Sequence, residues 1–184
     1  MRTPQGNEET KQWYVMRDLK RINAKEPAYK LLEGKKMEVF VLNTPVLIHN
    51  NYYYIKTLYF QGRKMDLLFV HETRLNLDPI VKKTPTLQYR WLRNTWREPM
   101  TVPDADMDRF IRAVSNSEFP QYYLPEEITP QMYGRPIHIV GGPLDGYEGN
   151  LLTMRGSKVK RLLVELKGFL SVGVEVTPEY IQFV

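Results

Sequence analysis

From Gly134 onward the chain leaves no room for a helix. Turn-forming groups fall at Gly141-Gly142-Pro143, Asp145-Gly146, Gly156-Ser157 and Thr177-Pro178. The apolar runs between them cover 137–140, 150–154, 162–166, 172–176 and 180–184, each shorter than two helical turns. Short strands at this spacing predict a small all-β barrel over residues 134–184.

Upstream the pattern is mixed. The first twelve residues are polar and are expected to form a tail, not a secretory signal. Trp13-Tyr14-Val15-Met16 is the first β-rich run. A short helix is expected over 27–33, because Pro27 suits a first helical position and Gly34 the position past the end. Strands are expected over 37–42 and 67–70. Hairpins are expected within 46–65, where Asn50-Asn51 and Gln61-Gly62 interrupt runs rich in Tyr, Ile and Leu. In 86–92, Leu87, Tyr89 and Trp91 alternate with Gln88 and Arg90, the period of a further strand.

Met107, Phe110, Ile111 and Val114 recur at helical spacing. Pro103, Asp104, Asp106 and Asp108 stand where a helix N-terminus favours them. Strands with helices packed on them make residues 13–115 an α+β layer. Between 116 and 133 the periodicity lapses among Pro120, Pro125 and Pro130, as in a linker. Its Phe119, Tyr122 and Tyr123 imply that part of it packs on a domain. The expectation is an α+β chain of two domains, 13–115 and 134–184.

The sequence of 184 residues holds 26 Lys+Arg and 21 Asp+Glu, a formal net charge of +5, and no Cys. The excess is local: residues 11–36 carry 8 basic against 3 acidic side chains, and 98–127 carry 2 against 7. Such segregation points to a polyanion partner more than net charge does. Without cysteine there is no disulfide, thiolate zinc site or thiol nucleophile. His49, His71 and His138 lack ligand spacing, and Asp104-Ala105-Asp106-Met107-Asp108 lacks the glycine and glutamate of a calcium loop. No cofactor, metal site or catalytic constellation is expected, and no run reaches the ~20 apolar residues of a membrane span. A cytoplasmic, non-enzymatic protein is the expectation.

The segment Ile137-His138-Ile139-Val140-Gly141-Gly142-Pro143-Leu144-Asp145-Gly146-Tyr147-Glu148-Gly149-Asn150-Leu151 runs from strand through turns back into strand. Its glycines suit a tight hairpin, whereas the Lys-Ser/Thr ending and following helix of a phosphate loop are missing. It resembles the KOW motif of the NusG family of transcription elongation factors, with Gly142, Pro143, Gly146 and Gly149 in the motif. Trp13-Tyr14-Val15 resembles the opening of the family's N-terminal (NGN) domain. Leu67-Leu68-Phe69-Val70 resembles its central strand, and Val102-Pro103-Asp104 the start of its last helix. The ending Gly168-Phe169-Leu170-Ser171-Val172-Gly173-Val174-Glu175-Val176 looks like that of UpxY-type antitermination factors. One departure is Met65-Asp66-Leu67, where the family usually has Pro-Gly-Tyr or Pro-Asn-Tyr.

The resemblance implies an NGN-like antiparallel sheet with packed helices, followed by a KOW barrel. It implies a factor that binds RNA polymerase and suppresses pausing or termination, at particular operons such as capsular or exopolysaccharide ones. Trp13, Tyr14, Leu67 and Phe69 would then form an exposed apolar pocket for the polymerase; ordinary core packing is the other reading. Leu67 and Phe69 are two apart on one strand, so both are core or both are pocket. Arg17, Lys20, Arg21 and Lys25 would meet non-template DNA, where phosphate contacts position and base contacts specify. A solvated basic face is the alternative there. The KOW domain would recruit a ribosomal protein or a termination factor. A different class stays open as well: a general RNA- or ribosome-binding protein, since small KOW barrels also occur in ribosomal proteins.

Overall fold

The computed structural model describes the chain outside residues 1–8, 20–25, 43, 49–50, 56–57 and 61–62, and for 43–65 it describes backbone. Contacts divide it into two compact units, Met1–Asp104 and Ala105–Val184.

Unit 1 runs β1 (Gln12–Asp18), α1 (Ala28–Gly34), β2 (Glu38–Phe40), β3 (Thr44–Ile48), β4 (Asn51–Ile55), β5 (Leu58–Phe60), β6 (Arg63–Met65), β7 (Leu67–Glu72), α2 (Arg74–Lys83), β8 (Leu87–Tyr89) and β9 (Thr101–Val102). Its main sheet is antiparallel in the order β2-β7-β1-β8, with β9 also paired to β1, while β3-β4 and β5-β6 are separate hairpins. Trp13 through Met16 are all buried. That is the unbroken apolar run of a central strand covered on both faces.

The cross-strand register divides those faces. Trp13 opposes His71, Val15 opposes Phe69 and Arg17 opposes Leu67 on one side, whereas Tyr14 opposes Val70 and Met16 opposes Leu68 on the other. The second side carries both helices: Ala28 and Leu32 of α1 and Leu77 of α2 join Tyr14, Met16, Leu68, Val70, Leu87 and Tyr89 in one core.

Both helices take their caps from outside their own spans. Pro27 offers α1 no capping side chain, and the buried Asp18 accepts instead from the Ala28 N–H at 2.8 Å. Helix α2 is absent from the sequence expectation because Pro79 stands inside it and removes a backbone donor. It forms nonetheless. Thr73 Oγ1 accepts from Asn76 N at 3.2 Å, Glu72 Oε1 accepts from Thr73 N at 2.9 Å, and Leu77 is fully buried. Lys82 and Lys83 complement the dipole at its far end.

Unit 2 takes all but the first residue of α3 (Asp104–Ser115), then β10 (Gln121–Tyr123), β11 (Tyr133–Ile139), β12 (Glu148–Leu152), β13 (Arg161–Leu166), β14 (Leu170–Glu175) and β15 (Ile181–Phe183). The strands form one antiparallel sheet in the order β10-β14-β13-β12-β11-β15, the all-β unit expected there. The sixth strand lies in the segment read as a linker: Gln121, Tyr122 and Tyr123 pair with Gly173, Val172 and Ser171. Helix α3 buries Met107, Phe110, Ala113 and Val114. The dividing line between the units falls after the first residue of this helix, whereas the sequence pattern set it behind the helix.

Candidate functional site

The register brings together three of the four residues expected at an apolar pocket and separates the fourth. Trp13, Leu67 and Phe69 share one face, whereas Tyr14 points into the helix-covered core. All four are buried, with exposures of 3%, 6%, 0% and 1% respectively. Leu67 and Phe69 are thus both interior, and these side chains present no exposed pocket in this structure. A strand inside a sheet with both faces covered has no other place for them. The same face carries Phe40 beside Phe69, ring centroids 6.1 Å apart.

At one end of that face the Trp13 ring stacks on His71, with centroids 5.0 Å apart and planes at 14°. The His71 Nδ1 lies 2.9 Å from Glu38 Oε2 and its Nε2 lies 3.5 Å from Asp104 Oδ1. At the other end Arg17 donates from Nε and Nη2 to Asp66 Oδ2, at 3.0 and 2.8 Å. Of the four basic residues expected to meet DNA, Arg17 is therefore half-exposed and engaged by a carboxylate. Lys20, Arg21 and Lys25 lie outside the described residues. Both ends of their stretch are anchored: Leu19 N donates to Thr86 O at 2.7 Å, and Asp18 holds the Ala28 N–H.

In unit 2 the glycine-rich segment is a built turn. Gly141, Gly142 and Gly146 adopt φ of +96°, +69° and +80°, the left-handed region that glycine enters without strain. Asp145 Oδ1 accepts from Gly141 N at 2.6 Å, and Gly146 N donates to Ile139 O at 2.9 Å. The Tyr180 ring covers the turn so closely that a Cβ on Gly142 would stand 2.7 Å from Tyr180 Cε2. Gly149 is confined as well, since a Cβ there would meet Leu162 Cδ1 at 3.0 Å and Leu163 O at 3.1 Å. Pro143 turns its carbonyl to Arg112 Nε, 3.2 Å away.

That last contact belongs to a dock between α3 and the turn. Two guanidinium groups of α3 lie near the Tyr147 ring, Arg109 at 5.0 Å and Arg112 at 5.5 Å from its centroid. Its hydroxyl donates to Arg109 O at 2.7 Å, and Arg109 Nη2 donates to Glu148 O. Burial pushes the Tyr147 phenol up against the pull of both arginines, so it stays a donor. This dock is the physical reason that α3 groups with unit 2. Beside it lies a polar cleft of about 240 Å³ lined by Asp106, Arg109, Glu148, Asn150, Glu165 and Lys167.

No family model matches the sequence, and no curated protein matches it. Chains of solved structures do match. One of them is described as domain interaction in NusG from Thermotoga maritima, and it is 16% identical, covering 95% of this chain and 98% of that chain at a TM-score of 0.48.

Among the described residues no group of three His, Asp or Glu side chains could hold a metal ion, and no helix is long and apolar enough to cross a membrane. The acids at 104, 106 and 108 open α3. The described side chains on the Trp13 face form stacked rings and ion pairs. The sequence reading took 86–92 as a strand and gave no functional role to residues 90–97, Arg-Trp-Leu-Arg-Asn-Thr-Trp-Arg. Their signal was legible, three arginines interleaved with two tryptophans and no acid before Glu98.

Proposed function

We propose that this protein is a NusG-like transcription factor. It binds RNA polymerase through its first, NGN-like unit and suppresses pausing or termination, at particular operons such as capsular or exopolysaccharide ones. It makes and breaks no bond. A factor that binds the elongating state more tightly than the paused state shifts the balance between them by that difference in affinity. It acts in the cytoplasm, with the KOW turn recruiting a ribosomal protein or a termination factor.

One observation supports this reading most. The KOW-like segment is held as a specific turn, with Gly141, Gly142 and Gly146 at positive φ, Asp145 tied to Gly141, and Tyr180 laid over it. Loose sequence likeness at glycines would not require those backbone positions. The chain order supports it too, since an α+β sheet precedes the turn-bearing sheet. Polymerase contact is assigned to the face of Trp13, Leu67 and Phe69. Non-template DNA is assigned to the stretch from Arg17 through Lys20, Arg21 and Lys25. The test is a pull-down of purified bacterial RNA polymerase on the immobilised full chain. Retention at about micromolar protein is expected, and none at that concentration ends the reading.

A further inference from the structure

Residues 90–100 form a hairpin whose base is fixed and whose tip is bare. Arg90 N donates to Val15 O at 2.9 Å and Val15 N to Met100 O at 2.9 Å, so both stems are hydrogen-bonded to β1. Met100 N to Arg90 O at 2.7 Å and Leu92 N to Glu98 O at 2.9 Å close the hairpin itself. Thr95 Oγ1 ties the tip back to Leu92 O at 3.1 Å.

At this tip Trp96 is 88% exposed, the most exposed large hydrophobic side chain among the described residues. The Arg97 guanidinium sits 5.5 Å from its ring centroid. Trp91 is 44% exposed, and its other side leans on Tyr89 with ring centroids 5.5 Å apart. Asn94 and Arg97 adopt φ of +62° and +48°, and for arginine that is a strained position. Strain of this kind persists where surrounding structure holds it and where function uses it.

We infer that this hairpin is a binding site for single-stranded nucleic acid. Trp96 is the stacking platform, and Arg93 and Arg97 meet phosphates. The chemistry selects the ligand. A bare indole offers a flat apolar face, and the charges around it are three arginines with no acid between 90 and 97. Unpaired bases have free faces for stacking, and their backbone supplies anions for the arginines. A duplex hides those faces. A lipid surface would call for aliphatic neighbours, but Trp96 follows Arg93, Asn94 and Thr95 in the chain, and Leu92 is half-buried. The site is distinct from the Arg17–Lys25 stretch and does not rest on the polymerase reading.

The test uses the full chain and two probes, oligothymidylate and oligouridylate about twelve nucleotides long, within the usual span of such sites. Binding is followed by tryptophan fluorescence over a range of salt. Quenching is expected. Trp96→Ala should abolish most of it and weaken binding roughly 5- to 150-fold, the loss of one stacked base. Trp96→Phe should recover part of the affinity, and circular dichroism of both variants should match the parent. Changing Arg93 and Arg97 to Gln should lower the salt slope by about 1.4, from about 0.7 for each phosphate contact on single strands. Either oligomer bound through Trp96 supports the site. The inference is overturned if these variants bind like the parent, if a duplex of equal length binds as tightly, or if anionic phosphatidylserine vesicles quench the signal while oligonucleotides do not. Polymerase retention is a separate measurement, so a failure here leaves that reading standing.

Discussion

Replacing Tyr14 with alanine tests whether the central strand is core or contact surface. Tyr14 is 1% exposed and meets Tyr89 edge-on, with ring centroids 5.6 Å apart at 67°. Truncating a buried aromatic side chain costs about 3–5 kcal/mol, from lost transfer energy and the cavity left behind. The aromatic pair accounts for about 0.5–1.5 kcal/mol of that, which a double-mutant cycle with Tyr89→Leu should return as coupling. Small domains are stable by roughly 5–15 kcal/mol, so the variant should lose a large share of unit 1's stability. With an m-value of about 1–3 kcal/mol/M, the urea midpoint should fall by at least about 1 M. The assay is urea unfolding of the full chain by circular dichroism and tryptophan fluorescence, with Tyr14→Phe as the variant that keeps the ring. The two units can unfold separately, and the transition that moves should be that of unit 1. Suppose instead that Tyr14→Ala unfolds within about 0.5 kcal/mol of the parent but loses the polymerase. The side chain would then be a contact, and its place in the core would be wrong.

Glu72 is held below its ordinary value: burial raises it, but the Thr73 N–H, the Asn76 amide and Lys11 lower it further. A depressed carboxylate contributes stability above its unfolded value of about 4.3 and loses it as pH falls through the folded value. Melting temperature against pH should therefore drop less steeply below about pH 5 in Glu72→Gln than in the parent. Tyr89 is raised, by burial first and then by its 2.6 Å hydrogen bond to Asp78. Its contribution is complete below about pH 10 and is lost above it, so Tyr89→Phe should flatten the alkaline limb of the same curve at a cost of about 1 kcal/mol near neutrality. Gly134→Ala should lower thermal stability more than Gly142→Ala. A Cβ at 134 meets the Leu151 carbonyl oxygen at 2.7 Å, whereas at 142 it meets a tyrosine ring that can swing aside. Adding Tyr180→Ala should recover part of the loss at 142 and none at 134.

The later half of the chain was the more legible. Turn residues bound each run in 137–184, and all five expected strands form there as β11 to β15. β10 was hidden by the prolines on either side of it. Helix α2 was hidden by Pro79, whose penalty is visible in sequence while the cap at Thr73 and the burial of Leu77 are tertiary facts. The apolar stripe of α3 was clear, but not its partner: Arg109 and Arg112 read as solvated charges until the Tyr147 ring is placed near both. For the candidate site, Trp13, Leu67 and Phe69 share a face because of a register that only the paired strands reveal. An apolar run alone does not separate core from pocket, since both want the same side chains.

Burial of those three residues also changes what a polymerase contact on that face would involve. At 0–6% exposure they give no contact area until the face is uncovered. A buried aromatic side chain hides about 150–250 Å², which at about 25 cal/mol per Å² is roughly 4–6 kcal/mol for each of Trp13 and Phe69. Exposing them costs about what a new partner would return, so exchanging one apolar cover for another is nearly neutral. Net affinity must then come from groups that gain a partner, and the 8 basic side chains in 11–36 against 3 acidic ones are the largest such reserve. Attraction from those charges is screened over about 10 Å at 0.1 M salt. Retention on the polymerase should therefore fall steeply as salt is raised from about 0.1 M toward 1 M, where the screening length shrinks to about 3 Å. If retention were flat over that range, the apolar face would supply the affinity, and Trp13, Leu67 and Phe69 would have to be less well covered in solution than they are here.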